Sequence, residues 1–422
     1  MSGKARVRRR HGARKSAAAI PSVGLALAGG GPLGGIYEVG ALIALSDSLE
    51  GIDLNEVDVY VGVSSGGFVA AALANGISPT QMYRLFIDEG ADASLSPALF
   101  LRPALGEFAR RGLSLPRLLV AAALARIRKA DRRNVMESIA ALSADLSRAI
   151  PTGLFDQRAL DRFLTRLFST PGRSNDFRKL DHKLFVIATN LDTGASTVFG
   201  GPGFDHVPIT RAIEASASLP GLFPPVDIDG AHYVDGALKK TLHASVALDA
   251  GVRLLLCVNP LVPFDASPVH GRGPLDKLAH GGLPAVLAQT FRAIIHSRME
   301  VGMDRYRARY PDADILLFEP DREDADMFFA SIFSYARRRD LCEAAYRKTR
   351  QSLFARRAEL EPLFARHGIR LKLEVLSDSQ RSIRAALIDT RPLKARKPGV
   401  QQTARDLSHT LDQLEAWLIA AR

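Results

Sequence analysis

The chain has 422 residues but only two cysteines, Cys257 and Cys342, and a single tryptophan, Trp417. Two thiols build no disulfide framework, so the fold must be held by its core, and this usage suits a reducing cytoplasm. Long hydrophobic runs are missing as well. The longest, Leu118 to Ala125, falls far short of the roughly 18 residues of a membrane-spanning helix, which leaves peripheral contact as the expected mode of meeting a membrane. There is no internal repeat and no cluster of His, Cys, Asp and Glu at metal-ligand spacing, so neither a repeat scaffold nor a metal or other cofactor is expected. Acidic residues are in deficit, 45 against 56 Lys and Arg, giving a formal net charge of +11.

Much of that excess is local. Lys4, Arg6, Arg8, Arg9, Arg10, Arg14 and Lys15 make residues 1–21 a basic arm, expected to be disordered and suited to an anionic membrane surface. It holds no aromatic residue on which bases could stack, which argues against specific nucleic-acid binding. A twin-arginine export signal is rejected, because the first core strand follows at once and cleavage there would remove it.

With 47% hydrophobic residues the chain can bury one large α/β core and carry appended regions. Short apolar runs at 23–28, 57–63, 183–189, 225–234 and 252–258 read as strands, and their alternation with helical patterns predicts a mainly parallel sheet between helix layers. Two of these runs end in glycines. Val23 to Ala28 leads into Gly29-Gly30-Gly31-Pro32-Leu33-Gly34, after which Ile36, Val39, Leu42, Ile43 and Leu45 recur at helical spacing. Val57 to Val61 leads into Gly62-Val63-Ser64-Ser65-Gly66, followed by an alanine-rich helix.

The second run fits G-x-S-x-G, a strand-to-helix elbow in which Gly62 and Gly66 permit the sharp turn that exposes one hydroxyl. Register selects Ser64 over Ser65, since Ser65 would need a glycine at position 63. Attack by a serine on an ester builds an oxyanion, and unobstructed backbone amides of a glycine loop at a helix N-terminus, Gly30 and Gly31 foremost, are suitable donors. The serine also needs a base. His243, His270, His280, His296, His367 and His409 lie late enough in the chain for a triad, but none has a distinctive setting. Asp235 does: it closes the strand-like Ala231 to Val234 and precedes a glycine. Asp229-Gly230 carries the same letters but reads as a hairpin turn.

The glycine loop, the G-x-S-x-G serine and the later Asp235-Gly236-Ala237, in this order, resemble the patatin-like phospholipase family. Ala188-Thr189-Asn190-Leu191-Asp192-Thr193-Gly194 and the stretch from Ala215 to Pro225 add to the resemblance, which covers roughly residues 22–260. It implies a three-layer α/β/α sandwich, a catalytic dyad of Ser64 and Asp235, and an oxyanion hole drawn from Gly29, Gly30, Gly31 and Gly34. One departure stands out: Leu33 occupies a loop position where many relatives have arginine or lysine.

The implied organisation is a basic arm over 1–21, a catalytic domain over 22–260 with a helical insertion at about 90–150, and a mainly helical region over 261–422. In the insertion, Leu115 to Val120 with Leu124, Arg126, Ile127, Arg128 and Lys129 combines apolar and basic surfaces, as a lid meeting lipid would. Near the end, Leu407, Leu411, Leu414, Trp417 and Leu418 form a helical stripe. The expected function is lipid acyl hydrolysis, with a carboxylesterase, thioesterase or storage-polyester hydrolase as nearby alternatives. The rivals are a non-catalytic lipid-surface scaffold, and a dinucleotide site with Asp47 or Glu50 as its acid.

Overall fold

Strand β1 (Val23–Leu27) is an unbroken apolar run, and the computed structural model of the protein buries it at the centre of a sheet. Residues 22–88, 102–106, 151–265, 282–322 and 337–389 are described. The basic arm, nearly all of the expected insertion, the stripe from Leu407 to Leu418, and His270, His280 and His409 lie outside them.

After β1 come α1 (Gly31–Ser48), β2 (Leu49–Glu50), β3 (Val59–Val63), α2 (Ser65–Ala74) and a short α3 (Pro79–Met82). Then follow α4 (Arg158–Phe168), β4 (Lys183–Asn190), β5 (Ser196–Phe199), α5 (Ile209–Ser216), the hairpin β6 (Val226–Ile228) and β7 (Ala231–Asp235), α6 (Ala244–Asp249) and β8 (Leu254–Val258). The remainder is α7 (Gly282–Arg309), β9 (Asp314–Phe318), α8 (Arg338–Ala355), α9 (Arg357–Arg366), β10 (Arg370–Leu371), α10 (Leu373–Ser377) and α11 (Ile383–Asp389).

The main sheet runs β6-β7-β4-β3-β1-β8-β9, with β5 paired to β4. Its centre and one edge are parallel: β1 with β3 and β8, β3 with β4, β8 with β9. The other edge, β5, β6 and β7, is antiparallel. Helices cover both faces, as a sheet whose central strands are apolar on both sides requires. On one face α1, α2, α4, α5 and α8 share a core with Leu25, Leu27, Tyr60 and Val186. On the other, α6 and α7 close over Ala26, Val61, Val63 and Cys257. Burying one such Leu or Val side chain contributes roughly 1.5–3 kcal/mol. The Cys257 thiol, fully buried, is pushed up to about 12 and stays protonated.

Beyond residue 260 the described residues are mostly helical, and they add a strand that the sequence reading did not name: β9 extends the main sheet on the β8 side, in register from Leu254 opposite Asp314 to Val258 opposite Phe318. Helix α8 packs on α1 so closely that a Cβ on Gly40 would lie 2.3 Å from the Cys342 carbonyl oxygen. The same region locks Asp47, which accepts hydrogen bonds from Arg381 at 2.7 and 2.8 Å and from Tyr346 at 2.6 Å. Arg370 pairs with Glu50 at 3.1 Å. Both acids weighed for a dinucleotide ribose are thus paired with residues of the C-terminal region, Asp47 from α1 and Glu50 from β2.

Candidate active site

Strands β1 and β3 are adjacent and parallel, with Leu27 opposite Gly62, so the loops that leave their C-terminal ends stand side by side. Strand β4 carries the register onward: Val63 lies opposite Ile187, and the next residue, Ala188, lies opposite Asp235 at the end of β7. Three motifs far apart in sequence therefore converge at one end of the sheet. A Cβ on Gly29 would sit 3.0 Å from Ser64 Cβ and 3.3 Å from Ala237 Cβ.

Ser64 has φ +53° and ψ −122°, a left-handed backbone that non-glycine residues adopt at a cost of order 1–3 kcal/mol. The turn is tight because β3 and α2 nearly touch. A Cβ on Gly62 would meet the Gly66 carbonyl oxygen at 2.4 Å, and one on Gly66 would meet the Leu27 carbonyl oxygen at 2.5 Å. Ser65, one residue on, already belongs to α2, and its hydroxyl is buried with no partner among the described residues.

The Ser64 side chain lies beside the Asp235 carboxylate and favours its ionised form. Asp235 is buried, and its Oδ1 accepts the Ala237 amide at 2.8 Å. Burial raises its pKa to about 6, against the lowering pull of the Ala237 amide and the Ser64 hydroxyl. A carboxylate so placed is a far better proton acceptor than an exposed aspartate, whose pKa is near 3.9. Asp229 lies elsewhere: it and Gly230 are the positive-φ residues between β6 and β7, and its carboxylate faces His206 at 3.0 Å.

No described histidine hydrogen-bonds Ser64 or Asp235. His296 faces Glu300 and Arg322, and His367 faces Asp314 at 2.7 Å. His243, unremarkable in sequence, is the one tied to the site. It is buried at the start of α6 with φ +46°, and its ring lies beside the carbonyl of Gly236, next to Asp235. Burial pushes its pKa down to about 4, and Nε2 has no partner among the described residues, so it is a neutral prop for the turn rather than a base for Ser64.

The glycine loop caps α1. Gly30 is its N-cap and Gly31, at φ +63°, its first residue. The amides of Gly30 and Gly31 donate to no carbonyl among the described residues, whereas the Gly34 amide donates to the Gly30 oxygen at 3.0 Å. Gly34, expected among the oxyanion donors, instead closes the first helical turn. The amide of Ser65, at the first position of α2, joins Gly30 and Gly31 as a candidate donor. Two helix N-termini thus point at the same place, and their dipoles favour negative charge there. Leu33 turns inward and packs in the core, so the charge that many relatives have at this position is replaced by an apolar anchor.

Two further residues support this arrangement. Pro260, just past β8, backs the loop: a Cβ on Gly30 would lie 2.6 Å from Pro260 Cγ. Ser216, in the alanine- and serine-rich stretch after β5, bridges the Ser64 amide (2.7 Å) and the Ile187 carbonyl (2.5 Å). Ser216→Ala leaves both buried groups without a partner and is expected to cost about 1–3 kcal/mol of stability. Thermal denaturation beside ester turnover checks this: the melting temperature falls by several degrees and kcat falls with it, because the Ser64 backbone loses its tether.

A family model described as Patatin-like phospholipase matches residues 25–248, more than half of the chain and all three of the converging motifs. The chain belongs to the patatin-like phospholipase family. Membership implies lipid acyl hydrolysis. Among solved structures, the patatin-like chain is similar to VipD from Legionella pneumophila, at 16% identity over 80% of this chain and 67% of that one, with a TM-score of 0.35. The type III effector ExoU of Pseudomonas aeruginosa matches at 17% identity over 78% and 52%, with a TM-score of 0.29. Human GIVD cytosolic phospholipase A2, in complex with methyl gamma-linolenyl fluorophosphonate, matches at 15% over 57% and 40%, with a TM-score of 0.22. The chain spans about half the length of the ExoU and human structures' chains or less. No helix among the described residues is long and apolar enough to cross a membrane.

Proposed function

We propose that this protein hydrolyses carboxylic esters of lipids, in the manner of a phospholipase A or lysophospholipase, through a Ser64–Asp235 dyad and an acyl-enzyme. The observation that carries the reading is a buried carboxylate of raised pKa, Asp235, set beside the Ser64 side chain and two helix N-termini.

Asp235 takes the proton as Ser64 Oγ bonds to the carbonyl carbon, and the negative charge that gathers on the carbonyl oxygen meets the amides of Gly30, Gly31 and Ser65. The tetrahedral intermediate collapses with cleavage of the bond to the alcohol, which leaves with the proton from Asp235. Water then attacks the acyl-serine and gives its proton to Asp235. Collapse releases the fatty acid and returns that proton to Ser64. Nucleophile, base and oxyanion donors all come from the chain, so no cofactor is required.

Turnover of diacyl phospholipid, lysophospholipid, neutral glyceride, acyl thioester and polyester by the full-length protein tests the substrate class. Phospholipid or lysophospholipid esters are expected to give the highest kcat/KM. A thioester or polyester preferred over both would move the protein to another class on the same machinery.

A further inference from the structure

Helix α7 is apolar on two opposite sides. Inward, Met299 and Met303 are buried against the sheet, with His296 and Tyr306 continuing the line at intervals of three and four residues. Outward, Leu287, Phe291, Ile294 and Val301 follow the same spacing and are 45%, 48%, 51% and 52% exposed. At 3.6 residues per turn these four fall, with Arg298 and Arg305, inside one stripe roughly 80° wide. Scattered exposed aliphatic residues are ordinary in proteins, but a continuous line opposite the buried face of a helix is the pattern of a second buried face.

The stripe runs beside the candidate active site. Arg298 Nη1 donates to the carbonyl of Leu238, three residues after Asp235, at 3.2 Å. Met299 contacts Asn259, whose neighbour Pro260 backs the glycine loop. Along the outward line three apolar residues come first, then Arg298, Val301 and Arg305, with no acid among them. Glu300 and Asp304 lie off the line and pair with Arg322 and Arg307. Arg305 makes no ion pair among the described residues.

This order matches the cross-section of an anionic lipid surface, where aliphatic and aromatic side chains enter the acyl boundary and guanidinium groups meet phosphate. It fits a second copy of the chain less well, because self-pairing along a heptad stripe would set Arg298 and Arg305 at core positions of the seam. We propose that the outward face of α7 is the surface by which the protein seats on an anionic lipid interface, with the site at its edge. The inference rests on the lipid reading of that site.

The test is co-sedimentation of the full chain with vesicles of phosphatidylcholine mixed with phosphatidylglycerol, for the wild type, Leu287→Ser/Phe291→Ser and Arg305→Glu. Any contribution of the basic arm is common to all three proteins. The double variant is expected to bind about tenfold more weakly or worse, as two apolar side chains leave the lipid. Arg305→Glu weakens binding to these vesicles but not to phosphatidylcholine alone. Melting temperature and hydrolysis of a water-soluble short-chain ester stay at the wild-type level, since these residues face solvent. Vesicle binding by the double variant equal to that of the wild type overturns the proposal. So does a dimer that the double substitution splits while vesicle binding persists, which assigns the stripe to self-association. If the wild type hydrolyses no ester at all, the hydrolase reading fails, and the vesicle result still decides the stripe.

Discussion

Ser64→Ala is expected to lower ester hydrolysis by about 10⁴-fold or more and to remove covalent labelling by a fluorophosphonate, while the melting temperature stays close to that of the wild type. The variant keeps every backbone contact of the elbow, including the Ser64 amide to Ser216, and loses one oxygen. Its left-handed backbone is imposed by β3 and α2, so alanine inherits the same strain and neither gains nor loses fold stability by relief of it. Mass spectrometry of the labelled wild type should place the adduct on the peptide containing Ser64. An adduct on Ser65 would show that the hydroxyl buried in α2, not the one at the elbow, is the nucleophile.

The second large effect belongs to the base. Asp235→Asn is expected to lower kcat by about 10³-fold or more, since general-base assistance contributes up to about 10⁴-fold and the amide cannot accept the serine proton in its place. The wild type adds a pH signature. The carboxyl must be ionised to act, so kcat/KM for a soluble ester should rise as pH increases through about 6 and then level off. Stability moves the other way. A carboxyl whose pKa is raised by folding stabilises the fold fully only below its unfolded value, and that contribution is lost as pH rises through about 6. Asp235→Asn, neutral at every pH, should therefore melt no lower than the wild type at pH 8 even though it is inactive, which separates a lost base from a lost fold. Asp229→Asn, at the hairpin turn, should leave turnover nearly unchanged. Should His243→Gln depress kcat as deeply as Asp235→Asn in a folded protein, the histidine would have to be counted among the groups that move the proton.

What could be read locally was read well. Strands β1, β3 and β8 are unbroken apolar runs with glycine or loop residues after them, and buried parallel strands need no partner in sequence to declare themselves. The Asp229-Gly230 turn is legible because two successive positive-φ positions restrict the residues allowed there. Strands β5 and β9 escaped for the opposite reason. Ser196–Phe199 is four residues long, and Asp314–Phe318 follows a long helix in a region of helical pattern, so only pairing with β4 and β8 makes them strands. The site divides in the same way. Motifs pointed to Ser64, Asp235 and the glycine loop, but the approach of the first two depends on a register relayed through β4. Gly34 looked like a donor because composition does not say which amides of a turn are already engaged. Ser216, His243 and Pro260 act through contacts 29 to 230 residues removed in sequence or through one ring nitrogen, and no spacing rule announces such contacts.

The intimate contact between α8 and α1 bears on heredity. The stretch by which the family is recognised ends at residue 248, yet the helix that presents the glycine loop is roofed by residues 338–355, with the Cys342 backbone seated against Gly40. Recognition and cooperative folding therefore have different borders in this molecule. A lineage could not exchange the motif-bearing stretch as a cassette without also exchanging the distant helix that fits it, because any side chain larger than glycine at position 40 demands a different roof. Divergence in the last third of the chain is accordingly coupled to the first helix, and a change in one is expected to be answered in the other long before the three motifs themselves begin to drift.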